Sequence, residues 1–195
     1  MKTLDEVSDF HGHICPGLAI GYRVATLALS EMGERSGDEE LVAIVENDSC
    51  AVDAVQVLTG CTFGKGNLVF RDHGKQVYTF IRRPSGKTLR ISVDWRQPDE
   101  NPQEKAAWQR YTEGDRSEDV LAAVHSRKNA RIRSIMEAPE GELFRLSREP
   151  AELPHTARIH ASLRCDACGE KTMETRARLL GGKTLCLPCF EKELG

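Results

Sequence analysis

A chain of 195 residues that is 39% hydrophobic, 29% charged and 6% aromatic can bury a core, and its composition excludes disordered, collagenous and coiled-coil classes. Its 27 Lys and Arg against 30 Asp and Glu leave a formal charge of −3, which offers no global attraction to nucleic acid or an anionic membrane. No apolar run approaches the roughly 20 residues of a membrane span, and Met1-Lys2-Thr3-Leu4-Asp5-Glu6 turns acidic before a signal-peptide core could begin. A cytoplasmic location is expected, and in that reducing setting the seven cysteines need a use other than disulfides.

In chain order, residues 4–10 read as a short helix. A longer helix starts at Pro16 and stops at Gly33, with Leu18, Tyr22, Ala25, Leu29 and Met32 at helical spacing. Residues 41–45 read as a buried strand and 51–58 as an apolar helix ending at Gly60. Residues 67–70, 77–81 and 89–93 read as meander strands, the last alternating Leu89, Ile91 and Val93 with Arg90, Ser92 and Asp94. Arg83-Pro84-Ser85-Gly86-Lys87 supplies the turn between the final two. Helices beside an antiparallel sheet make the expected class α+β.

The chain turns over residues 97–102, and helices follow over 103–112 and 117–136, the second with Leu121, Val124, Ile132 and Ile135 on one stripe and Ser117 as its cap. The basic run Arg127-Lys128-Asn129-Ala130-Arg131-Ile132-Arg133 reads as a solvated helix face, with a nucleic-acid patch as the less favoured reading. Glu149-Pro150-Ala151-Glu152-Leu153-Pro154 reads as a linker, which divides the chain into a core domain, 1–150, and a small module, 151–195.

That module carries Cys165-Asp166-Ala167-Cys168 and Cys186-Leu187-Pro188-Cys189, separated by seventeen residues. Two such knuckles deliver four thiolates to a tetrahedral zinc ion, and Gly181-Gly182 between them signals a hairpin. Knuckle, hairpin, knuckle and short helix resemble a treble-clef zinc finger. Four cysteine ligands saturate the ion, so its expected role is structural: a closing or docking module. Six Lys or Arg against five Asp or Glu over residues 164–195 do not favour DNA binding.

The other three cysteines occupy the first third. Phe10-His11-Gly12-His13-Ile14-Cys15-Pro16-Gly17 sets two imidazoles and a thiol directly before a helix. Asn47-Asp48-Ser49-Cys50 precedes the next one, on which Asp53 and Gln56 lie one turn apart. Cys61-Thr62-Phe63-Gly64-Lys65-Gly66 then forms a glycine-rich loop. A helix N-terminus favours a thiolate, and thiolates, imidazoles and a carboxylate suit zinc, iron, nickel or copper. The competing reading makes Cys50 and Cys61 small buried hydrophobes and Asp53 a capping carboxylate.

These three blocks, from Phe10 through Gln56 to Leu68, resemble the FmdE family, the E-type component of formylmethanofuran dehydrogenase, over roughly residues 5–140. The resemblance implies an α+β core that is usually dimeric, with the matched His, Cys and Asp residues in one cleft. It also implies a setting near a molybdenum or tungsten enzyme of one-carbon metabolism, and a C-terminal treble-clef finger fits some members. The family name sets no reaction for this chain.

The expectation is therefore a metal-binding protein whose cleft holds a second transition metal or a small ligand. His13, Cys15 and Cys50 are the preferred groups, with His11 and Cys61 behind them and Asp53 as orienting group or proton acceptor. Cys15, Cys50, Asp53 and Lys65 are the candidate catalytic residues, Lys65 holding an anionic group beside backbone amides. Gly17 and Gly21, four residues apart on one helix, suggest close helix packing in a homodimer. The alternative is a non-catalytic accessory or regulatory protein that binds a partner protein or nucleic acid through the finger.

Overall fold

The computed structural model describes residues 1–97, 99 and 101–195; Pro98 and Glu100, within the turn expected over 97–102, lie outside the described residues. The chain forms two units, Met1–Thr156 and Ala157–Gly195.

In the first unit, α1 (Leu4–His11) is opened by a Thr3/Glu6 capping box and stopped by Gly12 in the left-handed conformation at φ 93°. Helix α2 (Pro16–Met32) has Pro16 in its first turn and buries Leu18, Val24, Ala25, Leu27 and Ala28. Strand β1 (Leu41–Val45) is buried at every position, and α3 (Ala51–Thr59) ends at left-handed Gly60. There follow β2 (Leu68–Phe70), β3 (Val77–Arg82) and β4 (Lys87–Val93). Helices α4 (Pro102–Thr112) and α5 (Glu118–Glu137) come next, then α6 (Glu140–Leu143) and β5 (Phe144–Ser147).

The sheet runs β2-β1-β3-β4-β5. Here the meander expectation needs correction: β2 does not neighbour β3 but lies parallel to β1, with Ala43 opposite Leu68. Helix α3 is the crossover that parallel pairing requires. It carries the chain past β1, so β3 takes β1's other edge antiparallel, pairing Ala43 with Phe80. The class remains α+β, with one parallel pair on an otherwise antiparallel sheet.

Leu41, Ala43, Val45, Tyr78, Phe80, Leu89 and Ile91 share one core cluster with α2 and α3. Burying side chains such as Leu41 and Phe80 stabilises the fold by about 1.5–3 kcal/mol each. Between the helices the approach is closest at Gly21, where a Cβ would lie 2.2 Å from the Ala51 carbonyl oxygen. The small-residue pair expected between chains thus packs two helices of one chain. Glu149, Pro150, Ala151 and Glu152 line a cavity with Ile44, Thr79, Thr88 and Arg90 of the sheet, and Arg83 donates to the carbonyls of Pro154 and His155. The expected linker is thereby tied to the core by hydrogen bonds.

The second unit contains β6 (Ser162–Arg164), β7 (Lys171–Met173), β8 (Ala177–Leu180), β9 (Lys183–Cys186) and α7 (Leu187–Leu194). Gly181 and Gly182, at φ 57° and 80°, close the β8–β9 hairpin where a tight turn needs positive φ at both positions. Among the described residues, no helix is long and apolar enough to cross a membrane.

Candidate metal centres

In the finger, Cys165 and Cys168 follow β6, while Cys186 ends β9 and Cys189 lies in the first turn of α7. Their four sulfurs lie within 4.8 Å of one another, and Cys168 Sγ is 3.9 Å from Cys186 Sγ. Zinc–sulfur bonds of about 2.3 Å put tetrahedral sulfurs about 3.8 Å apart, so the donor set fits zinc. Backbone amides of Cys168, Cys186 and Ala167 pull the Cys165 thiol down to about 6, while the sulfurs of Cys186 and Cys168 push Cys189 up to about 12. Sulfurs so crowded are all thiolates only around a cation. Zinc held here supplies folding energy in place of a core.

The first unit gathers His11, Cys15 and Cys50, each contributing a ligand atom within 4.8 Å of the others. Three helix ends meet to do this. The left-handed Gly12 leaves His11 as the last residue of α1. Cys15 caps α2, its sulfur accepting from the Leu18 amide at 3.3 Å. Cys50 precedes α3 without a side-chain cap bond, and burial, then the Cys15 side chain, push its thiol up. Only one of the two sulfurs expected at helix starts therefore takes a hydrogen bond from its helix. Gly17 keeps the space between the sulfurs open: a Cβ there would lie 3.2 Å from Cys50 Cβ and 3.8 Å from Cys15 Sγ.

The imidazole is oriented by hydrogen bonds. His11 Nδ1 donates to Asp53 Oδ2 at 2.7 Å, Gln56 donates to Asp53 Oδ1 at 3.5 Å, and the Phe63 amide donates to Gln56 Oε1 at 3.3 Å. This leaves Nε2 of His11 as the lone-pair nitrogen, and it is buried without a hydrogen-bond partner. A carboxylate on one nitrogen and a free lone pair on the other is the tautomer of a metal-ligating histidine.

Three expected site residues are placed elsewhere. His13 is exposed and lies against His11, ring centroids 4.6 Å apart, because the chain reverses at Gly12 between them. Cys61 is fully buried and donates to the Leu41 carbonyl, and burial pushes its thiol up to about 11. Lys65 spends its ammonium on the carbonyls of Ser36, Gly37 and Asp38 at 3.1–3.4 Å, so it holds a loop and not an anion.

Beside the cluster lies a cavity of about 380 Å³, lined by His11, Cys50, Asp53 and Gln56 and by Phe63 and Phe70, two residues that the motifs did not single out. Phenylalanines bracketing a glycine-rich loop were the available signal. A larger cavity of about 690 Å³, between Met1, Leu29, Arg35 and Leu58, contains no thiol or imidazole and has no metal chemistry.

Residues 10–145 match the family model described as FmdE, molybdenum formylmethanofuran dehydrogenase operon. The chain belongs to the FmdE family. Residues 159–193 match the prokaryotic dksA/traR C4-type zinc finger, so this FmdE protein carries a zinc-binding module behind its family domain. Its fold is similar to the crystal structure of a tungsten formylmethanofuran dehydrogenase FmdE-like protein from Syntrophus aciditrophicus. That match has a TM-score of 0.61 at 23% identity, covering 97% of this chain and 90% of the other. A protein of Archaeoglobus fulgidus described as a probable S-adenosyl-L-methionine-binding protein is 32% identical over 96% of this chain. This chain spans about half of that relative's length, 52%.

Proposed function

We propose that the FmdE domain holds a borderline transition-metal ion on Nε2 of His11 and the sulfurs of Cys15 and Cys50, and presents it to a small ligand. The observation that supports this most is the buried, unpartnered Nε2 of His11. Three protein ligands leave a tetrahedral ion one open position, the arrangement of catalytic zinc sites, whereas the four-cysteine finger is closed. The metal would polarise or bind a ligand group; Asp53 fixes the His11 tautomer, and the burial of the cluster limits water. Zinc, iron, nickel and copper all suit this set.

The setting we propose is one-carbon metabolism in the cytoplasm beside a molybdenum or tungsten enzyme, with the protein as a homodimer. Support comes from the family description and the name of the Syntrophus protein. S-adenosyl-L-methionine, carried in the name of the Archaeoglobus relative, is a ligand to try in the cavity. A second reading makes the protein an accessory factor that docks a partner through its finger; exposed Leu179 and Ile159 in that unit favour it.

Metal content of the full chain separates the readings. Two ions per chain, falling to one in His11→Ala with the finger intact, support the cleft centre. One ion per chain in both proteins leaves only the finger.

A further inference from the structure

The cavity beside His11 has a charge character opposite to the one expected from Lys65. No lysine or arginine lines it. Lys65, the cation expected to hold an anionic group, is bound to three carbonyls outside it. The donors in its wall are engaged within the protein. Asn47 Nδ2 gives to the Lys75 carbonyl at 2.8 Å, Ser49 Oγ gives to Asn47 Oδ1 at 2.7 Å, and Gln56 gives to Asp53.

What faces a ligand is of the opposite kind. The Asp48 carboxylate is exposed, with no hydrogen bond or ion pair among the described residues, and Asp53 stands beside it on the lining. Phe63 and Phe70 are 75% and 44% exposed at the same cavity, offering aromatic faces, and Val45, Val52 and Leu68 supply an apolar wall. A divalent ion on two thiolates and a neutral imidazole is charge-neutral, so it does not cancel the two carboxylates. Carboxylates without counter-ions beside open aromatic faces attract weakly hydrated organic cations and repel anions.

We infer that the cavity binds a small organic cation with an apolar or aromatic body, of the quaternary ammonium or sulfonium class, seated on Phe63 and Phe70 and neutralised by Asp48. This rests on the cleft being the ligand site of the metal reading, but the recognising groups are separate from the metal ligands.

Three probes sharing a benzyl or phenyl group test it: benzyltrimethylammonium, benzyl alcohol and benzoate, titrated by NMR into the metal-loaded full chain. The expected order is cation, then alcohol, then benzoate, with at least a tenfold spread. Asp48→Asn should weaken the cation several-fold and leave the alcohol unchanged; Phe63→Ala should weaken both. Benzoate binding as well as the cation, equal binding of all three, no binding of any, or an Asp48→Asn protein with unchanged cation affinity overturns the inference. Sedimentation on the same samples shows whether a second copy covers the two phenylalanines, an outcome that also overturns it. Metal analysis keeps the two readings apart: one ion per chain with the probe order intact removes the cleft metal and leaves the cation site standing.

Discussion

His11 Nδ1 and Asp53 Oδ2 lie 2.7 Å apart across a separation of 42 residues, the one ending α1 and the other on the first turn of α3. This bond joins two helices whose starts and stops are set locally, and it aims the ring nitrogen that bears the lone pair. Removing the carboxylate should loosen the ring without removing a ligand.

Asp53→Ala is expected to weaken metal binding at the cleft about 10–100-fold while His11, Cys15 and Cys50 remain. Competition against a graded chelator, with the finger ion counted separately, measures it. Affinity equal to the wild type would remove Asp53 from the site.

Gly21→Ala should destabilise the first unit by about 1–3 kcal/mol or more, because its Cβ would meet Ala51 backbone at 2.2 and 2.6 Å and backbone cannot step aside as a side chain can. Gly37→Ala, with nothing within 4 Å, is the control and should stay within about 0.5 kcal/mol. Urea unfolding reads both. A neutral Gly21→Ala would mean that α2 and α3 sit farther apart.

Cys168→Ser, or a strong chelator, should unfold the second unit and leave the first folded. The finger's fully buried side chains are few, Cys165 and Leu185 among them, against a metal-binding free energy of about 10 kcal/mol or more. Limited proteolysis should then release a fragment starting near residue 157. An unchanged digest would argue against a structural zinc.

Cys61 gives a pH prediction. Burial raises its thiol from 9.0 to about 11, so the unfolded chain loses this proton first as pH rises. Above about 9 the unfolded state binds fewer protons, and stability falls until about pH 11, where the folded thiol also ionises. Below 9 both states hold the proton and the contribution is flat. Cys61→Ala has no proton to lose and should show a shallower alkaline decline in urea unfolding between pH 8 and 10. In the wild type, iodoacetamide should reach Cys61 only after unfolding; rapid labelling of the folded chain would contradict its burial.

Much of this molecule was legible in the chain because the signals are short-range. Pro16 and Gly33 bracket α2, Gly60 stops α3, Gly181-Gly182 turns the β8–β9 hairpin, and two Cys-x-x-Cys knuckles specify a four-thiolate site by spacing alone. A cap, a left-handed glycine or a two-residue spacer acts over a few bonds, so its physics is contained in the segment. Strand β5 was missed because Phe144-Arg145-Leu146-Ser147 has too little pattern to stand out, and it becomes a strand only by pairing with β4.

The site itself was decided by tertiary structure. Sequence placed His11 and His13 equally near Cys15, and the fold chose between them: Gly12 ends α1 so that His11 faces Asp53 while His13 is left exposed. The same holds for Lys65, whose ammonium went to carbonyls some 27–29 residues away, and for Cys61, whose thiol went to Leu41. Composition and spacing named the chemistry available to this protein. Which groups meet was settled by the packing of α1, α2 and α3, because contacts between residues distant in sequence form only when the core that joins them is buried.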